Sequence, residues 1–336
     1  MNRFLTPISL PCFVVVAFFA MFTTSGHSET PGWSHLADWL KLPEGMETIG
    51  GAHGDLAVSQ NGDVYISISG GLKPGIQVYD SEGNFLRLVE GAPEDIHGFV
   101  IHEDANGIEY IYGPRLSSGN IIKMTLDGEV VLDIPATAIP DEHWKVHPKT
   151  QKKVLRLTAC AVAPSGDIFV TDGYSSDLVH RFSPDGSYET TFGGKVEPYL
   201  FKTLHKIAID TRFDPVRIVG ASRENGRLVH LSLDGNFLGD VAINLRRPAA
   251  IAVKGDLLAI GEIQGRITVL DKEGKMVTHF GTNENKDEIG HNRTEPENWR
   301  PKLVHSPHGI AFNSSGDLFV TEYSKYGRIL KFERTE

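Results

Sequence analysis

Apolar residues in this chain come in short runs, cut by polar, glycine-bearing turns, and the runs return in the same order. One stretch near the C-terminus reads HGIAFN, SSGD, LFVTEY, GRILKFE; another reads ACAVAP, SGD, IFVTDGY, LVHRFSPDG, YETTFGG. The runs are strand-length and rich in β-branched residues, so each unit reads as four short strands. The turns at Asp80–Gly83, Asp127–Gly128, Ser183–Gly186, Asp234–Gly235 and Asp271–Gly274 place glycine where a hairpin needs positive φ. Beyond a candidate turn near Trp33–Leu40, no stretch after the first 28 residues carries a long helical period.

The units start at His53, His97, Thr158, His205, Ala249 and His308, with spacings of 44, 61, 47, 44 and 59 residues. A period in the forties with four strands per unit predicts an all-β fold, a six-bladed β-propeller. The sixth unit shows three strands, and the segment Trp39–Ile49 is expected to add the fourth and close the ring. The long spacings hold insertions at Ile139–Leu155 and Thr282–Val304. Both fall where inner strands begin and second strands end, which puts them on one surface with those positions. Loops on a rigid scaffold are where function concentrates.

Three alternate units open with histidine: His97, His205 and His308, in IHGFVI, LHKIAI and PHGIAF. Alternate blades of a six-fold ring lie 120° apart, so these side chains converge on the channel. Neutral imidazole ligates zinc, and three protein ligands leave a position open, as in catalytic sites. Another divalent transition metal would suit the same donors. His53 is one residue out of register and is a candidate fourth channel residue. His102, His143, His147, His180, His230 and His291 read as solvated.

The first 28 residues read as a signal peptide: Arg3, then the apolar Phe13–Phe22, then small and polar Ser25–Ser28. Cleavage is expected near Ser28, leaving 29–336 as a single propeller domain that is secreted or periplasmic. No later stretch is apolar enough to predict a membrane span. The net charge of −10 argues against nucleic acid as a partner. Of the two cysteines, Cys12 leaves with the signal peptide and Cys160 reads as a buried, inert thiol.

The repeat is similar to NHL-type propellers. DIFVTDGYSSDLVHRFSPDG, ASRENGRLVHL, KLPEGMETIG and the three histidine-led phrases more specifically resemble peptidyl-α-hydroxyglycine α-amidating lyase, over nearly the whole chain after residue 28. The resemblance implies a six-bladed propeller with zinc on His97, His205 and His308. It also implies Tyr174 as general base and Arg223 as a residue holding the substrate carboxylate. The implied reaction splits a C-terminal α-hydroxyglycine, on a peptide or a small molecule, into an amide and glyoxylate. The chain departs from the family at Ser67–Gly71, where an arginine is missing, and Arg115 is a candidate replacement by placement. Ser175 stands where the family has a cysteine, Ser306 where it has a methionine, and Gly309 where it has an aspartate linked to calcium, so calcium is left in doubt. Three other readings stay open: a non-catalytic NHL-like propeller binding protein or glycan, with Trp144 and Trp299 in its insertions; another metal-dependent propeller enzyme such as a lactonase; and a lyase-like scaffold acting on a different small hydroxy acid.

Overall fold

The computed structural model describes residue 1 and residues 32–335, so the expected signal peptide lies outside the described residues. The chain is all-β, a six-bladed propeller. Its blades are six four-stranded antiparallel sheets in chain order, with inner strands Leu56–Val58, Val100–Glu103, Ala159–Val162, Leu204–Asp210, Pro248–Lys254 and Pro307–Phe312. Six buried apolar clusters fill the six interfaces between neighbouring blades. One brings Tyr112, Ile121 and Ile134 of blade two against Cys160, Val170 and Phe182 of blade three. The stability of the ring is therefore carried mainly by blade-to-blade burial of apolar faces. Among the described residues, no helix is long and apolar enough to cross a membrane.

Ring closure differs from the sequence expectation in one detail. The fourth strand of blade six is Gly32–Leu36, antiparallel to Arg328–Thr335, and not Trp39–Ile49. Trp33 fixes it, stacking on Phe280 at 5.7 Å while its indole N–H donates to the Gly316 carbonyl at 2.9 Å. Pro43 and Gly45 make Trp39–Ile49 a poor ladder strand. That segment crosses to blade one instead, where the Lys41 N–H donates to the Gly83 carbonyl at 2.8 Å.

The insertions are compact. The first contains the hairpin Lys145–Val146 with Lys153–Val154, and the second a short 3-10 turn, Pro296–Asn298. Trp144 and Trp299 are half-buried, and their indole N–H groups donate to the Ile139 and Thr294 carbonyls. Neither forms the exposed aromatic face that a protein- or glycan-binding propeller would present.

Candidate functional site

The backbone aims the histidines. At His205, Ala249 and His308 the ladder with the second strand slips by one residue. Such a bulge takes one residue out of the pairing and redirects its side chain, here toward the channel. Each histidine then donates from Nδ1 to a carbonyl of the following blade. His97 reaches Thr158 at 2.7 Å, His205 reaches Ala249 at 2.8 Å and His308 reaches Gly54 at 3.2 Å. Gly54, Thr158 and Ala249 occupy, in blades one, three and five, the position that histidine holds in blades two, four and six. Half of the ring supplies imidazoles and the other half supplies the carbonyls that orient them. Gly98, after His97, permits this approach: a Cβ there would lie 2.3 Å from the Thr158 carbonyl oxygen.

A carbonyl only accepts, so Nδ1 carries the proton and each Nε2 is left with a lone pair facing the channel. This is the outer-shell arrangement that prepares histidine for a metal. The three rings stand edge to face, with centroids 4.8–5.1 Å apart. The Nε2 of His308 is buried with no hydrogen-bond partner. Burial holds all three well below the usual histidine range, His97 at about 3, so they stay neutral and available as ligands.

His53 joins them. Its ring centroid lies 4.8 Å from His97, 5.1 Å from His308 and 4.7 Å from Tyr323. Burial and the charges of Arg223 and Arg156 hold it down to about 4. Ligand atoms of His53, His97 and His308 all lie within 4.8 Å of one another, a set that could hold a metal ion. His205 is outside that set, yet it carries the same carbonyl anchor and bulge as His308, whereas His53 enters from the lead-in to blade one. His97, His205 and His308 are the three whose rings a carbonyl orients.

Tyr174 and Arg223 lie over the ring. Gly173 lets the Tyr174 turn press against blade four, since a Cβ at 173 would sit 2.3 Å from the Leu204 carbonyl oxygen. The Tyr174 hydroxyl lies 3.2 Å from Nε2 of His97 and 3.1 Å from Nε2 of His205. Burial pushes this phenol up, and Arg223, stacked over its ring at 5.6 Å, pulls the other way. The Arg223 Nε also donates to Glu224 at 3.1 Å. Arg115 is drawn aside, its Nε donating to Asp95 at 3.0 Å.

Below the imidazoles the channel is closed. The next residues of the six blades are Asp55, Gly98, Ala159, Lys206, Ala250 and Gly309. Asp55 and Lys206, from opposite blades, form a buried ion pair across the axis. The gap between this pair and the ring is too small for a water. Beyond Lys206 the channel widens into a separate cavity of about 510 Å³. A Cβ at Gly309 would lie 2.6 Å from Asp55 Oδ1, so this floor leaves no room for an aspartate there.

Sequence reasoning missed Tyr323 and Arg156. Tyr323 follows the second strand of blade six as Tyr174 follows that of blade three, a signal that was available. Two histidines read as solvated are buried instead: Nδ1 of His180 pairs with the Thr191 hydroxyl at 2.8 Å, and Nε2 of His230 with Asp210 at 2.8 Å.

No family model matches the chain. Over 197 residues, 55% of this chain, it is 27% identical to the peptidylglycine alpha-amidating monooxygenase of Rattus norvegicus and 26% identical to that of Mus musculus. The match spans only 19% of the length of those relatives. Virginiamycin B lyase from Staphylococcus aureus superposes with a TM-score of 0.54 at 16% identity, covering 90% of this chain and 99% of that one. A Bacteroides thetaiotaomicron protein of unknown function superposes with a TM-score of 0.60 at 12% identity, covering 91% of this chain and 76% of its own. These structures share the fold; the sequence similarity points weakly toward an amidating enzyme.

Proposed function

We propose that the protein is an exported, metal-dependent carbon–nitrogen lyase that splits an α-hydroxyglycine into an amide and glyoxylate. His97, His205 and His308 hold the metal, with zinc fitting three neutral imidazoles. The observation that carries this reading is the set of three carbonyl-anchored imidazoles with their Nε2 atoms turned inward under Tyr174. Bound zinc supplies positive charge that polarises the substrate hydroxyl and favours the Tyr174 phenolate.

Tyr174 takes the hydroxyl proton. The electron pair left on that oxygen closes to a carbonyl, the C–N bond breaks with its pair on nitrogen, and the departing amide nitrogen takes a proton back from Tyr174 or from water, giving RCONH2 and glyoxylate. Arg223 holds the substrate carboxylate, a planar fork on a planar acceptor. The Asp55–Lys206 floor shuts the lower channel, so substrate enters from the face that carries the insertions. Incubation with a synthetic N-acyl-α-hydroxyglycine tests the proposal. Equimolar amide and glyoxylate, formed faster than in buffer, are expected; rates equal to buffer would reject it.

The absence of arginine at Ser67–Gly71 favours one second reading, a lyase-like site for another small hydroxy acid. The buried Ser67 hydroxyl donates to the Ile96 carbonyl at 2.6 Å and gives the substrate nothing to hold.

A further inference from the structure

We propose that Arg156 is a second guanidinium of the substrate-binding rim, acting with Arg223 to select ligands with a free carboxylate. The inference rests on the reading above for the reacting carbon and for Arg223, and adds Arg156 to it.

Arg156 closes the first insertion, one residue before the inner-strand position of blade three. Leu155 and Leu157 on either side are buried, so the extended backbone turns the Arg156 side chain away from the core, where it is exposed. Its backbone N–H donates to the Ser175 hydroxyl at 3.2 Å, and Ser175 in turn donates to the Asp172 carboxylate at 3.0 Å. Arg156 is thus tied to the residue that follows Tyr174.

The charge around the site is one-sided. The acidic groups near the four imidazoles are already engaged. Asp55 pairs with Lys206 in the floor, Glu224 is shared by Arg223 and Arg247, and Asp172 accepts from Ser175, Ser176 and Leu178. The cations acting on both His53 and Tyr174 are Arg223 and Arg156. Among the described residues Arg156 has no carboxylate within salt-bridge distance, whereas Arg115 is committed to Asp95. An arginine without a carboxylate partner, anchored beside the Tyr174 turn, is suited to an anion. A planar carboxylate beside the reacting carbon is an acceptor that two guanidiniums can share.

The test is calorimetric binding of N-benzoylglycine and its methyl ester to the zinc-loaded full-length chain, wild type against Arg156→Gln and Arg156→Lys. The acid should bind wild type more tightly than the ester. Arg156→Gln should weaken the acid about 10–100-fold, the loss of a charge-assisted contact, and leave the ester and the melting temperature unchanged. Arg156→Lys should recover part of the loss. Equal acid binding by wild type and Arg156→Gln, or equal losses for acid and ester, would overturn the proposal. Turnover of α-hydroxyglycine by wild type reports separately: without turnover but with Arg156-dependent acid binding, the reaction fails and the rim stands.

Discussion

Removing the Lys206 ammonium should leave the imidazole ring in place and cost the fold heavily. Lys206 and Asp55 come from opposite blades, and their side chains are 7% and 3% exposed. Solvent therefore screens the pair little. Burial pushes the Asp55 carboxyl up, Lys206 pulls it down, and the Leu56 N–H, at 2.9 Å, is its other support. Lys206→Met leaves a buried carboxyl with that one donor. Breaking a buried pair from one side costs about 3–5 kcal/mol. With an unfolding entropy of about 2.1 cal/mol/K per residue, that lowers the melting temperature of a chain this long by roughly 5–8 °C. The double variant Asp55→Asn, Lys206→Met buries no charge and should melt within about 2 °C of wild type. Metal content should persist in both, because carbonyls and not the ion pair orient His97, His205 and His308. Scanning calorimetry with metal analysis reads both quantities. A single variant that melts like wild type, or a double variant that loses the sum of the two singles, would refute the reasoning.

Tyr174→Phe should keep its metal and lose about 10²- to 10⁴-fold in kcat, the usual contribution of a positioned base; unchanged turnover would remove Tyr174 from the chemistry. His205→Ala should abolish metal binding while His53→Ala retains it, and the reverse result would transfer the third ligand to His53. Burial pushes the Cys160 thiol up to about 12, so at pH 8 about one part in 10⁴ is thiolate in the fold. It should resist a thiol reagent until denaturant is added, and rapid labelling of the native protein would contradict the burial.

The repeat made the fold legible, because four short strands per unit and a period in the forties leave few architectures. The site was legible only where it rests on side chains. His97, His205 and His308 kept step with the repeat and could be read directly. Their anchors could not, because Gly54, Thr158 and Ala249 act through carbonyls, which every residue carries. His53 read as a marginal channel residue because it is one place out of register. The inner strand of blade one starts only at Leu56, and the lead-in brings the ring over from above. Strand identity at the closure was misjudged because Trp39 and Ile49 are buried, but between blades one and six rather than in a ladder. Arg156 carries no motif; its placement depends on how the first insertion returns to blade three.

Metal content of the wild-type protein, purified without added metal, bears most directly on the central claim. The account predicts about one equivalent of zinc or another divalent transition metal per chain, removed by chelator together with lyase turnover and restored with it on adding zinc. A wild-type protein that is folded, metal-free and unable to take up one equivalent of zinc would contradict it.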